Sequence, residues 1–217
     1  FFDGMPDKET VDTLYDGLDI IRGVETFLNG IPATSIEGLR LGFIDAGADA
    51  SHKVIVMDKL LDSAPLFLTG NTDTVYAMTA LDLKRDGPTV IEVPPGSGPG
   101  TVDDAYFRFE IDMGIPGPDR GKGGKYLILP PDYKGDLAPP EGGAEAEVDG
   151  EKYFVAKSTS YVNLLILRGF LVDGKPDAAT AMFKSGLKVY PLAKRNAPPP
   201  MEFINGSGKP FNTIHAN

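Results

Sequence analysis

The 217-residue chain contains no cysteine. Disulfides, thiolate catalysis and cysteine-ligated zinc are therefore excluded. Histidine is nearly absent as well, with only His52 and His215. Neither stands beside a residue that reads as a nucleophile, and no GxSxG elbow occurs, so the sequence assembles no serine triad. No apolar run reaches the length of about 18 residues that a membrane span needs. Positive charge is in deficit: 21 Lys and Arg face 31 Asp and Glu, for a net charge of −10. This balance argues against non-specific nucleic-acid binding and against anionic membrane surfaces. Phosphate-loop spacing is missing too. GSGPG at 96–100 and GKGGK at 121–125 lack the strand–loop–helix context of a nucleotide site, and no motif names a cofactor.

What is present is 41% apolar residues, enough for a core, with 26 Gly and 19 Pro, a composition suited to many short strands. The chain is organised around Gly70–Leu83, GNTDTVYAMTALDL. Val75, Ala77, Thr79, Leu81 and Leu83 share one parity, and Tyr76, Met78, Ala80 and Asp82 the other. A strand here would face a core with the first set and a mixed environment with the second. The polar cluster Asn71-Thr72-Asp73-Thr74 before it either fixes the entry turn through its own backbone or forms a pocket wall, with Asp73 as acid, base or metal ligand and Asn71 as orienter.

GNTDTVY, followed by LDL, DGP and IEVPP, resembles the family called domain of unknown function 1254. So do DAYFRFEIDMGIPGPDRGKGGKYLILPPDYKGD at 104–136 and LRGFLVDGKPD at 167–177. The resemblance runs from about residue 50 to the end. It implies an α+β, mainly β fold: an immunoglobulin-like antiparallel β-sandwich with an N-terminal helix and further helical additions. It also implies a periplasmic or secreted protein and a following domain, of unknown function 1214, beyond the FNTIHAN at which this chain stops. The start at Phe1 without Met fits a removed leader. The resemblance carries no established activity.

Organisation is expected as an N-terminal helical segment (1–50), a β-sandwich domain (51–175), and a helix and linker (176–217) leading to the absent domain. Apolar residues from Val11 to Leu28 recur at helical spacing over 9–29, with Asp7 as N-cap and Gly30 and Pro32 as the stop. Residues 36–48 read as a short helix from Ser35 or as irregular chain. Strands are expected at 53–57, 65–69, 75–83, 89–93, 105–112, 126–129, 153–157 and 161–171. In the fifth of these, Phe107, Phe109 and Ile111 form the core-facing parity, and Arg108 and Glu110 share the other face. Residues 132–150 read as an exposed excursion. Leu164 to Leu167 are consecutive apolar residues, so the last strand is expected to be buried on both faces and central in a sheet. A helix is expected over 177–187, with Ala178, Ala181, Met182 and Leu187 on one side.

Three candidate sites follow. Arg120, Lys122 and Lys125 put cations on one glycine-rich loop that reads either as an anion site or as a solvated hairpin with Asp119 neutralising Arg120. Arg168 closes an apolar run and needs an acidic partner, Asp173 or Asp73. His215 sits among small polar residues and either serves a site or seats the next domain. The ligand-binding set is thus Asn71, Asp73, Tyr76, Arg120, Arg168 and His215. A metal at His215 with Asp73 or Asp112, or an oxygen-ligated calcium at Asp103 and Asp104, has no supporting spacing.

Three functions remain open: a β-sandwich binding a small-molecule, anionic or glycan ligand in a polar interdomain cleft, a hydrolase-type enzyme whose site is shared with the second domain, and a structural or interaction module. The second domain of the same polypeptide is the expected partner, and a homo-oligomer is the alternative cover for the surface it would occupy.

Overall fold

The computed structural model describes residues 3–63, 66, 70–137 and 144–209. In chain order the elements are α1 (Lys8–Asp45), β1 (Lys53–Val56), β2 (Thr74–Asp82), α2 (Leu83–Asp86), β3 (Thr89–Val93), β4 (Gly100–Asp104), β5 (Phe109–Met113), β6 (Gly124–Leu129), β7 (Ala144–Val148), β8 (Glu151–Lys157), β9 (Val162–Phe170), α3 (Asp177–Gly186), β10 (Lys188–Pro191) and β11 (Glu202–Asn205). They form a mainly β, α+β fold. One sheet has the order β11-β1-β2-β9-β4-β5 and the other β10-β3-β6-β8-β7.

Strand β2 is central because both parities of its side chains are buried. Val75, Ala77 and Leu81 join Val54, Leu165 and Leu167 in a core shared with Ile91, Tyr126 and Ile128 of the second sheet. Tyr76 and Met78, on the opposite face, pack with Ile55, Met57 and Leu164 beneath Ile36 and Phe43 of α1. The mixed environment expected for that face is therefore a second apolar core at one end and, at Tyr76, the edge of a polar turn. Strand β9 lies between β2 and β4, and its run of leucines is buried from both sides as expected.

Each sheet contains one parallel pair, β1 with β11 and β6 with β8. The sheets are thus mixed, not purely antiparallel as the resemblance implied. A parallel pair needs a long crossover, and the chain supplies one in both places. β6 reaches β8 through residues 130–150, which contribute β7 as an edge strand where an exposed excursion was expected.

Helix α1 runs 38 residues, past the stop expected at Gly30 and Pro32. Asp7 caps it by accepting from the Thr10 N–H at 2.8 Å. Proline removes an N–H from the ladder and ordinarily breaks a helix. Here hydroxyls answer nearby carbonyls: Thr34 donates to Ile31 O at 2.9 Å and Ser35 to Ile31 O at 2.8 Å. The burial of Ile36 and Phe43 then holds the far side in place.

The strand expected over 105–112 is a hairpin instead. Residues 105–108 form a turn with Phe107 at φ 59°, and β5 begins at Phe109. Asp104 enforces this. Its carboxylate, fully buried, accepts from the N–H groups of Tyr106 (2.8 Å) and Arg108 (2.9 Å), the Arg108 Nε (2.8 Å) and the Thr159 hydroxyl (2.5 Å). Phe107 and Phe109 are consequently exposed rather than inward-facing. Arg108 pairs with Asp104. The strand expected at 65–69 falls, apart from Leu66, outside the described residues.

Candidate functional site

The Asn71–Thr74 turn is built by one side chain. Asn71 Oδ1 accepts from the N–H of Asp73 (2.9 Å), the N–H of Thr74 (3.0 Å) and the Thr74 hydroxyl (2.9 Å). This is the Asx chemistry that lets asparagine replace backbone partners in a tight turn. The Asn71 N–H in turn donates to the Tyr76 hydroxyl at 3.0 Å. Asn71 thus fixes the turn and orients Tyr76, while Asp73 projects from it as an exposed side chain.

Tyr76 lies directly across from Arg168 on β9. The Arg168 guanidinium carbon sits 5.3 Å from the Tyr76 ring centroid, a cation–π arrangement. Neither Asp73 nor Asp173 pairs with Arg168, and among the described residues it has no carboxylate partner. The aromatic ring has taken the place of the expected acid. Arg40 and Arg85 differ in this respect: Glu37 approaches Arg40 at 2.6 Å and Asp86 approaches Arg85 at 2.8 Å. Their charges are met at the opposite end of β2, whereas Arg168 makes no ion pair among the described residues.

The backbone at Arg168 is fixed by the glycine-rich segment 96–100. The Gly98 N–H donates to Arg168 O at 2.8 Å, and the Arg168 N–H donates to Pro99 O at 2.9 Å. A Cβ on Gly98 would lie 2.7 Å from Arg168 O and 3.2 Å from the Phe170 ring. Glycine is what allows this segment to lie flat against the strand. Phe170, on the same face of β9 as Arg168 and 48% exposed, adds an apolar wall that sequence reasoning did not select. Its period-two spacing from Arg168 was the available signal.

Arg120 stands apart. It is exposed, at φ 49°, on a loop that reaches the 96–98 segment through the Gly96 N–H to Gly121 O bond of 2.9 Å. No contact joins it to Asn71, Tyr76 or Arg168 among the described residues. Asp119 does not neutralise it. That carboxylate is buried, accepting from the Tyr126 hydroxyl and from the Gly123 N–H at 3.0 Å. Burial first, and the Asp119 carboxylate second, push the Tyr126 hydroxyl well above its ordinary pKa. Lys125 is drawn away from the loop by Glu151 at 2.6 Å. The three-cation site therefore does not form. His215 lies outside the described residues. The structure gathers Asn71, Tyr76 and Arg168, sets Asp73 on the same turn, and leaves Arg120 on a neighbouring loop.

On β4, Asp103 is buried, and its carboxyl is raised first by that burial and then by neighbouring Asp104, Asp112 and Glu110. Among the described residues its carboxylate accepts one hydrogen bond, from the Thr101 hydroxyl at 3.2 Å. Burial opposes the charge on Asp104 too, but the Arg108, Thr159 and backbone donors outweigh it and hold that carboxyl below the usual range. A calcium pair at Asp103 and Asp104 is not available, since Asp104 is already engaged by Arg108. No group of three His, Asp or Glu side chains converges as a metal site among the described residues.

The family model described as "Protein of unknown function (DUF1254)" matches residues 52–191, more than half of the chain. This chain belongs to that family. Asn71, Tyr76, Gly98 and Arg168 all fall within the part that defines the DUF1254 family, and the whole of α1 lies before it. No curated protein matches the chain. Among solved structures it is similar to the VPA0106 protein from Vibrio parahaemolyticus, with 16% identity and a TM-score of 0.49. That similarity covers 77% of this DUF1254 chain and 37% of the Vibrio chain, so the present chain spans little more than a third of that protein's length.

Proposed function

We propose that this DUF1254 chain is a ligand-binding module that takes the carboxylate or sulfate group of a small molecule or acidic glycan on Arg168. The observation that carries the reading is the Arg168 guanidinium, half-buried on the Tyr76 ring with no carboxylate among the described residues to answer it. A planar guanidinium held against an aromatic face loses little freedom on binding and offers paired donors to a planar or tetrahedral anion. Phe170 and the Gly98–Pro99 segment supply the apolar and backbone walls, and Asn71 holds Tyr76 in place. No nucleophile paired with a base stands beside Arg168 among the described residues, which favours binding over turnover.

Isothermal titration with succinate, glucuronate and sulfate tests this. The wild-type chain is expected to bind at least one of them saturably. Arg168→Gln is expected to weaken that binding by at least tenfold, about 1.4 kcal/mol, consistent with loss of one charge-assisted contact. Arg120→Gln is expected to leave it unchanged. Absence of saturable binding by the wild type, or equal affinity in Arg168→Gln, would overturn the reading.

A further inference from the structure

The first two-thirds of α1 buries almost nothing. The buried residues of this helix are Ile36, Gly38, Gly42 and Phe43, all in its last third. Before them, two apolar stripes run along the arm over residues 8–31. Leu14, Leu18, Ile21 and Leu28 form one, with exposures of 64%, 37%, 65% and 59%. Ile20, Val24, Phe27 and Ile31 form the other, at 68%, 54%, 70% and 42%. Both follow the three-and-four spacing of a helix that meets another helix. An isolated helix is marginal in water, and most helical stability comes from packing an apolar face. The arm also carries Gly17 and Gly23, each costing about 1 kcal/mol against alanine in a helix. Nothing lies within 4 Å of where a Cβ on either would stand, so no packing among the described residues accounts for them.

We infer that the α1 arm is a homodimer interface, packed antiparallel against the arm of a second copy of this chain. Two observations select that occupant. The first is area. The 24 residues of the arm extend about 36 Å at 1.5 Å per residue. Pairing over that length with side chains so exposed buries on the order of 800 Å² per partner, the size of a standard stable interface. The second is charge. Glu9, Asp12, Asp16 and Asp19 crowd the N-terminal half, where Lys8 is the one cation, while Arg22 and Glu25 balance each other further on. A parallel pair would bring the two acidic halves together. An antiparallel pair sets each against the nearly neutral half of its partner and opposes the helix dipoles. The same acidic face disfavours an anionic membrane as the occupant. A two-fold antiparallel pair is also self-closing, so the apolar surface is consumed without polymerising. Gly17, set among Leu14, Ile20 and Ile21 at i−3, i+3 and i+4, gives the partner room for close approach.

The test is the mass of the intact 217-residue chain by light scattering across a dilution series. The wild type is expected at about twice 23.2 kDa. The Leu18→Glu, Ile21→Glu double variant is expected at half the wild-type mass, with the same thermal midpoint for the sheets, since neither residue touches their core. The cysteine-free background makes oxidation diagnostic of direction. Leu14→Cys alone is expected not to cross-link to itself, whereas Leu14→Cys mixed with Glu25→Cys, which an antiparallel overlap of residues 8–31 sets opposite, is expected to give a disulfide-linked pair. A monomeric wild type overturns the inference, and so does a dimer that survives the double variant. Self-cross-linking of Leu14→Cys overturns it by showing parallel arms. A monomeric wild type that instead sediments with phosphatidylglycerol vesicles assigns the arm to a membrane and overturns it equally.

Discussion

Gly114→Ala is expected to destabilise the chain by roughly 3 kcal/mol or more, at the high end for a single substitution. Gly114 has φ +70°, a conformation that costs a residue with a Cβ about 1 kcal/mol. Steric contact costs more. A Cβ at this position would stand 1.9 Å from Gly98 O and 2.9 Å from Ser97 O, both backbone atoms that no rotamer change can move. To relieve the clash, the 96–99 segment must leave β9, breaking the Gly98 N–H bond to Arg168 O. A buried backbone pair left open costs about 1–3 kcal/mol. Urea unfolding measures the total. Gly150→Ala is the control: φ is +80° but nothing lies within 4 Å of the added methyl, so only the conformational cost of about 1 kcal/mol should appear. Equal losses in the two variants would show that the contact between the 114 and 98 turns is not what matters. The substitution is also expected to abolish ligand binding at Arg168, because it unseats the segment that fixes the Arg168 backbone.

Asp104→Asn is expected to cost about 3 kcal/mol at neutral pH, because it converts a buried, fully paired carboxylate into an amide facing donors it cannot satisfy. The Arg108 guanidinium would lose its counter-charge, and the amide nitrogen would point at an N–H or at the Thr159 hydroxyl. The pH dependence has a fixed sign. The Asp104 carboxyl is held below its ordinary value in the folded chain. Its contribution is therefore present above the unfolded carboxylate pKa, near 3.9, and is lost as pH falls through the lower folded value. The stability gap between wild type and variant should be constant near pH 7 and shrink below about pH 4. Asp103, the preceding residue, has the opposite sign. Burial and three acidic neighbours raise its carboxyl, so its contribution is favourable at low pH and lost as pH rises through the raised value. Asp103→Asn is accordingly expected to be neutral or stabilising at pH 7, so its urea midpoint should hold or rise where that of Asp104→Asn falls.

Much of the framework was legible wherever burial follows a simple period. β2 and β9 were visible as a two-period strand and a run of leucines, and both lie at the centre of the first sheet. The helix over 177–187 was visible too, and of its expected face Leu187 is buried and Met182 packs against the core, but Ala178 and Ala181 are exposed and the buried side is completed by Ala179, Thr180 and Phe183. A short helix with alanines all round leaves the choice of face to the sheet it packs on. The other failures share that physical cause: local signals that tertiary contacts overrode. Pro32 reads as a helix stop, yet Thr34 and Ser35 hydroxyls and the burial of Ile36 carry α1 through it. Phe107 and Phe109 read as core positions of a strand, yet the hydrogen bonds that Asp104 accepts turn the chain before β5. Gly96 to Gly100 reads as loose, yet it is pinned to β9 by Gly98 and enters β4 at Gly100.

At the candidate site, Asn71, Tyr76 and Arg168 could each be picked from residue type and position. Their grouping depends on the β2–β9 register, which pairs Tyr76 with Arg168 and which no single stretch of sequence specifies. Phe170 was missed because an aromatic at a strand end reads as core. Arg120 was grouped with them because a cation on a glycine-rich loop looks like a ligand site, whereas the structure places it on a neighbouring loop that reaches the 96–98 segment through Gly121 O.

The most direct test of ligand binding at Arg168 is an arginine side-chain NMR titration, following the Nε–Hε resonances of the 15N-labelled chain as succinate, glucuronate or sulfate is added. One resonance, absent from Arg168→Gln, is expected to shift saturably while those of Arg120, Arg40 and Arg85 stay still. A saturable shift confined to any other arginine, or no saturable shift at all, would contradict binding at Arg168.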